Sequence, residues 1–110
     1  MSKISFVLMP LALLSSSSAY SQSAGTCTAT QHRTLQNQVD SACGAALACS
    51  GTDDRATLNS KIGKHSACID ARKNINNTCF GGGDAGHKQA IVERTNAITN
   101  CQNLLAKVKP

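Results

Sequence analysis

The chain has 110 residues and a formal net charge of +5, from 11 Lys and Arg against 6 Asp and Glu, with no Trp, one Tyr and two Phe. Phe80 is the only one of those aromatics beyond residue 20, so the core is expected to be aliphatic and thin, and an aromatic platform for single-stranded nucleic acid is excluded. The basic residues are scattered rather than gathered in a run, so the charge implies no more than weak contact with polyanions such as those of a cell envelope.

At the N-terminus Lys3 precedes the apolar run Ile4 to Leu14, and the serines Ser15 to Ser18 lead into Ala19, Tyr20 and Ser21. That order predicts a secretory signal peptide over residues 1–21, cleaved after Ser21, with Ala24 as the other option. The run is too short to span a bilayer. Cys27 lies well beyond it, and Ala24, Gly25 and Thr26 do not form the leucine-led motif that lipidation uses. Residues 22–110 are therefore expected to be a single mature domain, secreted or periplasmic and without a transmembrane anchor. Losing Lys3 leaves ten Lys and Arg against six acids, a net charge of +4.

A chain near roughly 80 residues has a core worth only about 3 to 5 kcal/mol, so covalent staples are expected. All six cysteines, Cys27, Cys43, Cys49, Cys68, Cys79 and Cys101, fall in the mature part. Export into an oxidising compartment favours three disulfides. Zinc is the competing reading, but the close Cys-x-x-Cys pairs usual in zinc sites are missing.

Apolar periodicity predicts three helices, and no internal repeat is apparent. Thr28 or Thr30 caps the first, whose buried face carries Leu35, Val39, Cys43 and Leu47. After Gly51 and Thr52, Asp53 and Asp54 start a second helix, with Leu58, Ile62, His65, Ile69 and Arg72 along one stripe to about Ile75. Asn76 to Gly83 is rich in turn formers and predicts a long glycine-rich loop. Asp84 then caps a third helix whose stripe is His87, Ile91, Arg94, Ile98, Cys101 and Leu105, and Lys107 and Lys109 complement its C-terminal end. The fold class is all-α, a small three-helix disulfide-stapled bundle with a Gly-rich loop before the last helix.

Antiparallel neighbours place Cys27 near Cys79 at one end and Cys49 near Cys101 at the other. The remaining pair, Cys43 and Cys68, would lie about 12 Å apart along ideal helix axes at about 1.5 Å per residue. A bridge needs Cα atoms within about 7 Å, so either the first helix ends early, near Gly44, or the pairing is different. Six cysteines allow 15 connectivities.

Chemistry is expected where the glycine loop meets the third helix. Gly81, Gly82 and Gly83 let backbone amides approach an anion or oxyanion. Asp84 and His87 share a helix face, a pairing that orients an imidazole for proton transfer. The candidate catalytic set is thus His87 as base or acid, Asp84 as its orienter or a metal ligand, and Arg72 as an anion binder. A guanidinium on a buried stripe needs an acid or a bound anion, and Asp84 is its nearest partner by topology. Phe80 supplies an apolar wall. His65 reads as a buried, hydrogen-bonded core histidine, His32 beside Arg33 as solvent-facing, and Arg94 with Glu93 as a surface pair. Glycines that end helices and aspartates that cap them would give the same residues without chemistry. Asn76, Asn77 and Thr78 form a glycosylation sequon that matters only in a host with that pathway.

The run Cys79, Phe80, Gly82, Gly83, Asp84 and His87, with Leu35, Val39, Cys43, Cys49, Cys68, Arg72, Ile75, Ala97 and Cys101, resembles the novel toxin 16 domains at the ends of bacterial polymorphic, Rhs-type toxins. The resemblance implies a small helical effector used against competing cells, with a target-cell substrate and a cognate immunity protein as partners. Such domains normally end a long delivery polypeptide, whereas here a signal peptide leads directly into the domain. Three functions follow as expectations: a hydrolase acting on a phosphodiester or an ester with no cofactor, a binding module with a positive surface, and a non-catalytic binding or inhibitory scaffold of the cell envelope.

Overall fold

The computed structural model describes residues 24–109, and the expected signal peptide over residues 1–21 lies outside them. Three helices follow in order: α1 (Ala29–Gly44), α2 (Arg55–Phe80) and α3 (Ala85–Lys107). With no strand among the described residues and three disulfides, this is the stapled all-α bundle that the periodicity predicts.

Each helix starts at a side-chain cap, because the first turn leaves backbone N–H groups without intrahelical acceptors. Thr28 Oγ1 accepts from the Gln31 N–H at 3.0 Å while Gln31 Oε1 accepts from the Thr28 N–H at 2.9 Å, a reciprocal capping box. Asp54 accepts from the Thr57 N–H at 2.8 Å. Asp53 instead ties down the connection before α2, accepting from the Ser50 N–H at 2.8 Å and pairing with Lys61 at 2.7 Å.

One boundary differs from expectation, and at another the early helix end near Gly44 is the alternative realised. The second helix does not stop near Ile75; it runs to Phe80, and the long loop shrinks to the turn between Gly81 and Asp84. Asn76, Asn77 and Thr78 are poor helix formers, but Ile75, Asn76 and Cys79 are buried, and burial outweighs a propensity cost of a few tenths of a kcal/mol per residue. The first helix ends at Gly44, so Leu47 leaves the buried face and is 61% exposed, with Ala46 buried instead. The connection from Ala45 to Asp54 turns back along the start of α2, where Lys61 Nζ donates to the Ala48 carbonyl at 3.0 Å. That excursion brings Cys43 level with Cys68.

All three disulfides join the cysteines paired by topology. Cys27–Cys79, Cys43–Cys68 and Cys49–Cys101 have Cα separations of 4.9, 4.6 and 5.3 Å. Among the described residues no cysteine is free, which leaves no thiolate for zinc. Both α1 and α3 pack on α2 and not on each other. Between α1 and α2 the core is Val39, Ile75 and Cys79, with Leu35, Ala71 and Phe80 against it. Leu58, Cys68 and Cys101 are fully buried elsewhere along α2 and α3.

Candidate functional site

The site forms where α2 gives way to α3. Gly81, at φ 59°, ends α2 in the left-handed conformation that costs glycine least. The N–H groups of Gly81 and Gly82 both turn back to the Asn76 carbonyl, and that of Gly83 to the Phe80 carbonyl. These three amides close the helix end, so in this conformation the glycines shape the turn, and recognition of an anion falls to side chains.

Asn76 organises the turn from inside. It is 4% exposed, and its Oδ1 accepts from the Asp84 N–H at 2.9 Å. Asp84 then caps α3, its Oδ2 accepting from the His87 N–H at 2.9 Å. The carboxylate therefore holds the His87 backbone rather than the ring. The imidazole is oriented by Arg72, whose Nη1 lies 3.1 Å from His87 Nδ1.

Arg72 was expected to pair with Asp84; the structure gives it the imidazole instead, and the one ion pair among the described residues is Lys61–Asp53. Chemistry follows from this exchange. A guanidinium has only donors, so His87 Nδ1 must accept, and the neutral ring then carries its proton on Nε2. Burial holds the His87 imidazole below the ordinary value of 6.5; Asp84 opposes that shift, and Arg72 and His32 add to it. The ring is therefore a neutral Nε2–H donor near neutral pH. Serving as a base through Nε2 would require a proton on Nδ1, facing the arginine.

Phe80 lies over this group, its ring centroid 5.9 Å from that of His87. His32, expected to face solvent, is half-buried and meets Phe80 edge-on at 6.1 Å. Gly25, at φ 57°, lets the chain before α1 close over the ring, because a Cβ there would overlap the Cys79 carbonyl and Phe80. Arg72 Nε is buried with no hydrogen-bond partner among the described residues.

One heptad away, His65 is 1% exposed, with Nε2 2.9 Å from the Leu47 carbonyl. Arg94 does not pair with Glu93 at the surface; it turns inward, donating to the Ala46 carbonyl at 2.9 Å and lying 3.4 Å from His65 Nδ1. Two surface grooves, of about 330 Å³ beside Leu47, Lys61 and Lys64 and about 320 Å³ beside Leu35 and Thr78, are not lined by Arg72, Asp84 or His87. Among the described residues no group of three His, Cys, Asp or Glu is placed to hold a metal ion, and no helix is long and apolar enough to cross a membrane.

Arg72 and Asp84 thus meet at His87 as the sequence predicts, whereas the role of Asn76 is not visible there, because its neighbour Asn77 is the same residue type. A family model described as novel toxin 16 matches residues 23–104. No curated protein and no solved structure matches the chain.

Proposed function

The chain belongs to the novel toxin 16 family, and from that premise we propose that this toxin-like effector is an exported hydrolase whose Arg72–His87 pair grips and polarises an oxygen of an ester or phosphodiester substrate. The observation that carries the reading is the 3.1 Å contact from Arg72 to His87 Nδ1. It sets the tautomer, so that His87 Nε2–H is a fixed donor to oxygen on which negative charge develops. Arg72 adds positive charge behind it, and Phe80 excludes water from one side.

Within this proposal Asp84 has two tasks. Oδ2 caps α3 and so fixes the first turn from which His87 projects. Its Oδ1 makes no hydrogen bond among the described residues and is the acceptor for a proton from an attacking water. The water oxygen bonds to the polarised carbon or phosphorus as its proton passes to Asp84, and the C–O or P–O bond to the alcohol then breaks, the departing oxygen taking that proton back from Asp84. Residues 1–21 deliver the domain to the periplasm or outside, and a cognate immunity protein is its expected inhibitor.

The experiment compares wild type with His87→Ala and His87→Gln in a target-cell growth assay and in hydrolysis of ester and phosphodiester reporters. Loss of one preorganised oxyanion donor lowers turnover by about 100- to 1000-fold in His87→Ala, while the glutamine amide restores part of it. Full activity in a folded His87→Ala variant would refute the hydrolase reading. A second reading, a binding or inhibitory scaffold of the cell envelope, draws support from His65 and Arg94, which make a similar contact at 3.4 Å and bind two of the chain's own carbonyls. Retained binding to envelope extracts with no product from any reporter would favour it.

A further inference from the structure

The two Arg–His contacts are related by more than likeness. In both, an arginine Nη1 reaches across the α2–α3 interface to a histidine Nδ1, Arg72 to His87 and Arg94 to His65. The pattern His65, Ile69, Arg72, Asn74, Cys79 on α2 recurs 22 residues later as His87, Ile91, Arg94, Asn96, Cys101 on α3. The disulfides keep the same offset, since Cys27–Cys79 shifted by 22 is Cys49–Cys101, and each has a sequence separation of 52. A divergent internal repeat, folded back on itself as an antiparallel pair, accounts for all of these correspondences.

The repeat makes one site a template for the other. At His65 the arginine holds Nδ1, so Nε2–H is the donor and takes the Leu47 carbonyl at 2.9 Å. Arg94 takes the adjacent Ala46 carbonyl, also at 2.9 Å. Two consecutive peptide carbonyls are thus seated on one imidazole and one guanidinium. The 22-residue offset makes Ala24 and Gly25 the counterparts of Ala46 and Leu47, but these turn elsewhere. The Ala24 carbonyl accepts from the Cys27 N–H at 3.0 Å, and Gly25 is pressed on Phe80 and the Cys79 carbonyl. Arg72 keeps a buried Nε–H without a partner among the described residues.

We propose that Arg72 and His87 take from a partner polypeptide what Ala46 and Leu47 supply to Arg94 and His65, namely two consecutive backbone carbonyl oxygens. The inference rests on the donor reading of this pair and narrows it to uncharged acyl oxygens in place of phosphodiesters. Charge supports that choice: with His87 neutral, the site sets one cation, Arg72, against one anion, Asp84, and the glycine amides are already engaged. A phosphodiester would meet the Asp84 carboxylate with little net attraction. A peptide carries no charge to repel, and a side chain beside the gripped carbonyls can rest on Phe80.

The test titrates the disulfide-intact, ¹⁵N-labelled protein with N-acetyl-alanyl-alanine N-methylamide and, in a separate arm, with dimethyl phosphate, following the side-chain nitrogens of His87, Arg72, His65 and Arg94. The diamide is expected to shift His87 and Arg72 and leave His65 and Arg94 in place. Binding weakens about fivefold in a folded His87→Leu variant, the loss of one hydrogen bond, and is partly restored in His87→Gln. A larger response to dimethyl phosphate, no response to either probe, or equal binding by His87→Leu overturns the proposal. If hydrolysis depends on His87 while the diamide gives no response, this inference alone falls. If the diamide binds as described while hydrolysis survives His87→Ala, the hydrolase reading alone falls.

Discussion

Replacing Asn76 and Asn77 separately by alanine isolates the contact that sets the turn before α3. Both residues lie in the last turns of α2, and in both cases alanine gains the same helix propensity, up to about 0.7 kcal/mol. Asn77 is exposed and its side chain makes no hydrogen bond among the described residues, so Asn77→Ala should be neutral or slightly stabilising. Asn76 is 4% exposed, and its Oδ1 is the acceptor for the Asp84 N–H at 2.9 Å. Removing that acceptor leaves a partly buried amide unpaired, which costs about 1 to 3 kcal/mol. Propensity cancels between the two variants, so their difference in stability should equal that cost. For a domain of this size each kcal/mol moves the melting temperature by about 4 to 8 °C. Thermal melts of the oxidised protein, followed by far-ultraviolet circular dichroism, should therefore place Asn76→Ala at least about 4 °C below Asn77→Ala. Equal melting temperatures would refute the claim that Asn76 latches the turn.

Three further expectations follow from the same geometry. Asp84→Asn keeps a capping oxygen but removes the charge that raises the His87 pKa, so the imidazole should titrate still lower, which an NMR titration of His87 measures directly. Because the folded-state pKa of His87 lies below 6.5, the unfolded chain binds the extra proton first. Its contribution to stability is retained above 6.5, declines as the pH falls through that value and levels off below the folded-state pKa, so urea midpoints should fall over that window and fall less in His87→Gln. Replacing Cys27 and Cys79 together by alanine releases a loop with a separation of 52 residues and should cost about 4 kcal/mol, against about 3.5 kcal/mol for Cys43 and Cys68 at a separation of 25, as read from urea unfolding.

Local chemistry made much of this fold legible. Leu58, His65 and Cys68 recur at helical spacing and are buried, and Asp84 sits where a cap belongs. Cysteine pairing followed from helix direction, because short turns force antiparallel neighbours. What stayed hidden depends on contacts distant in sequence. Leu47 continues the period of Val39 and Cys43, yet the chain leaves the helix after Gly44, and the Ala46 carbonyl meets Arg94, 48 residues away. Asn76 and Asn77 are alike in composition and spacing; only packing turns one inward. Arg72 was legible as a buried cation that needed company, but its neighbour is an imidazole, a choice set by the level at which α3 starts. The repeat linking α2 to α3 rests on a few residues spread over four turns, and shared geometry, rather than sequence similarity, makes it visible.

Phe80 carries a practical consequence. Beyond residue 20 it is the sole Phe, Tyr or Trp in the chain. Its ring lies against both His87 and His32. A single fluorinated phenylalanine would therefore give one resonance, free of overlap and located at the proposed centre, that reports occupancy, titration of either imidazole and opening of the turn. Conventional dye-free protein assays in the near ultraviolet would nearly overlook the same molecule, so purification is better followed through the peptide bond or by mass.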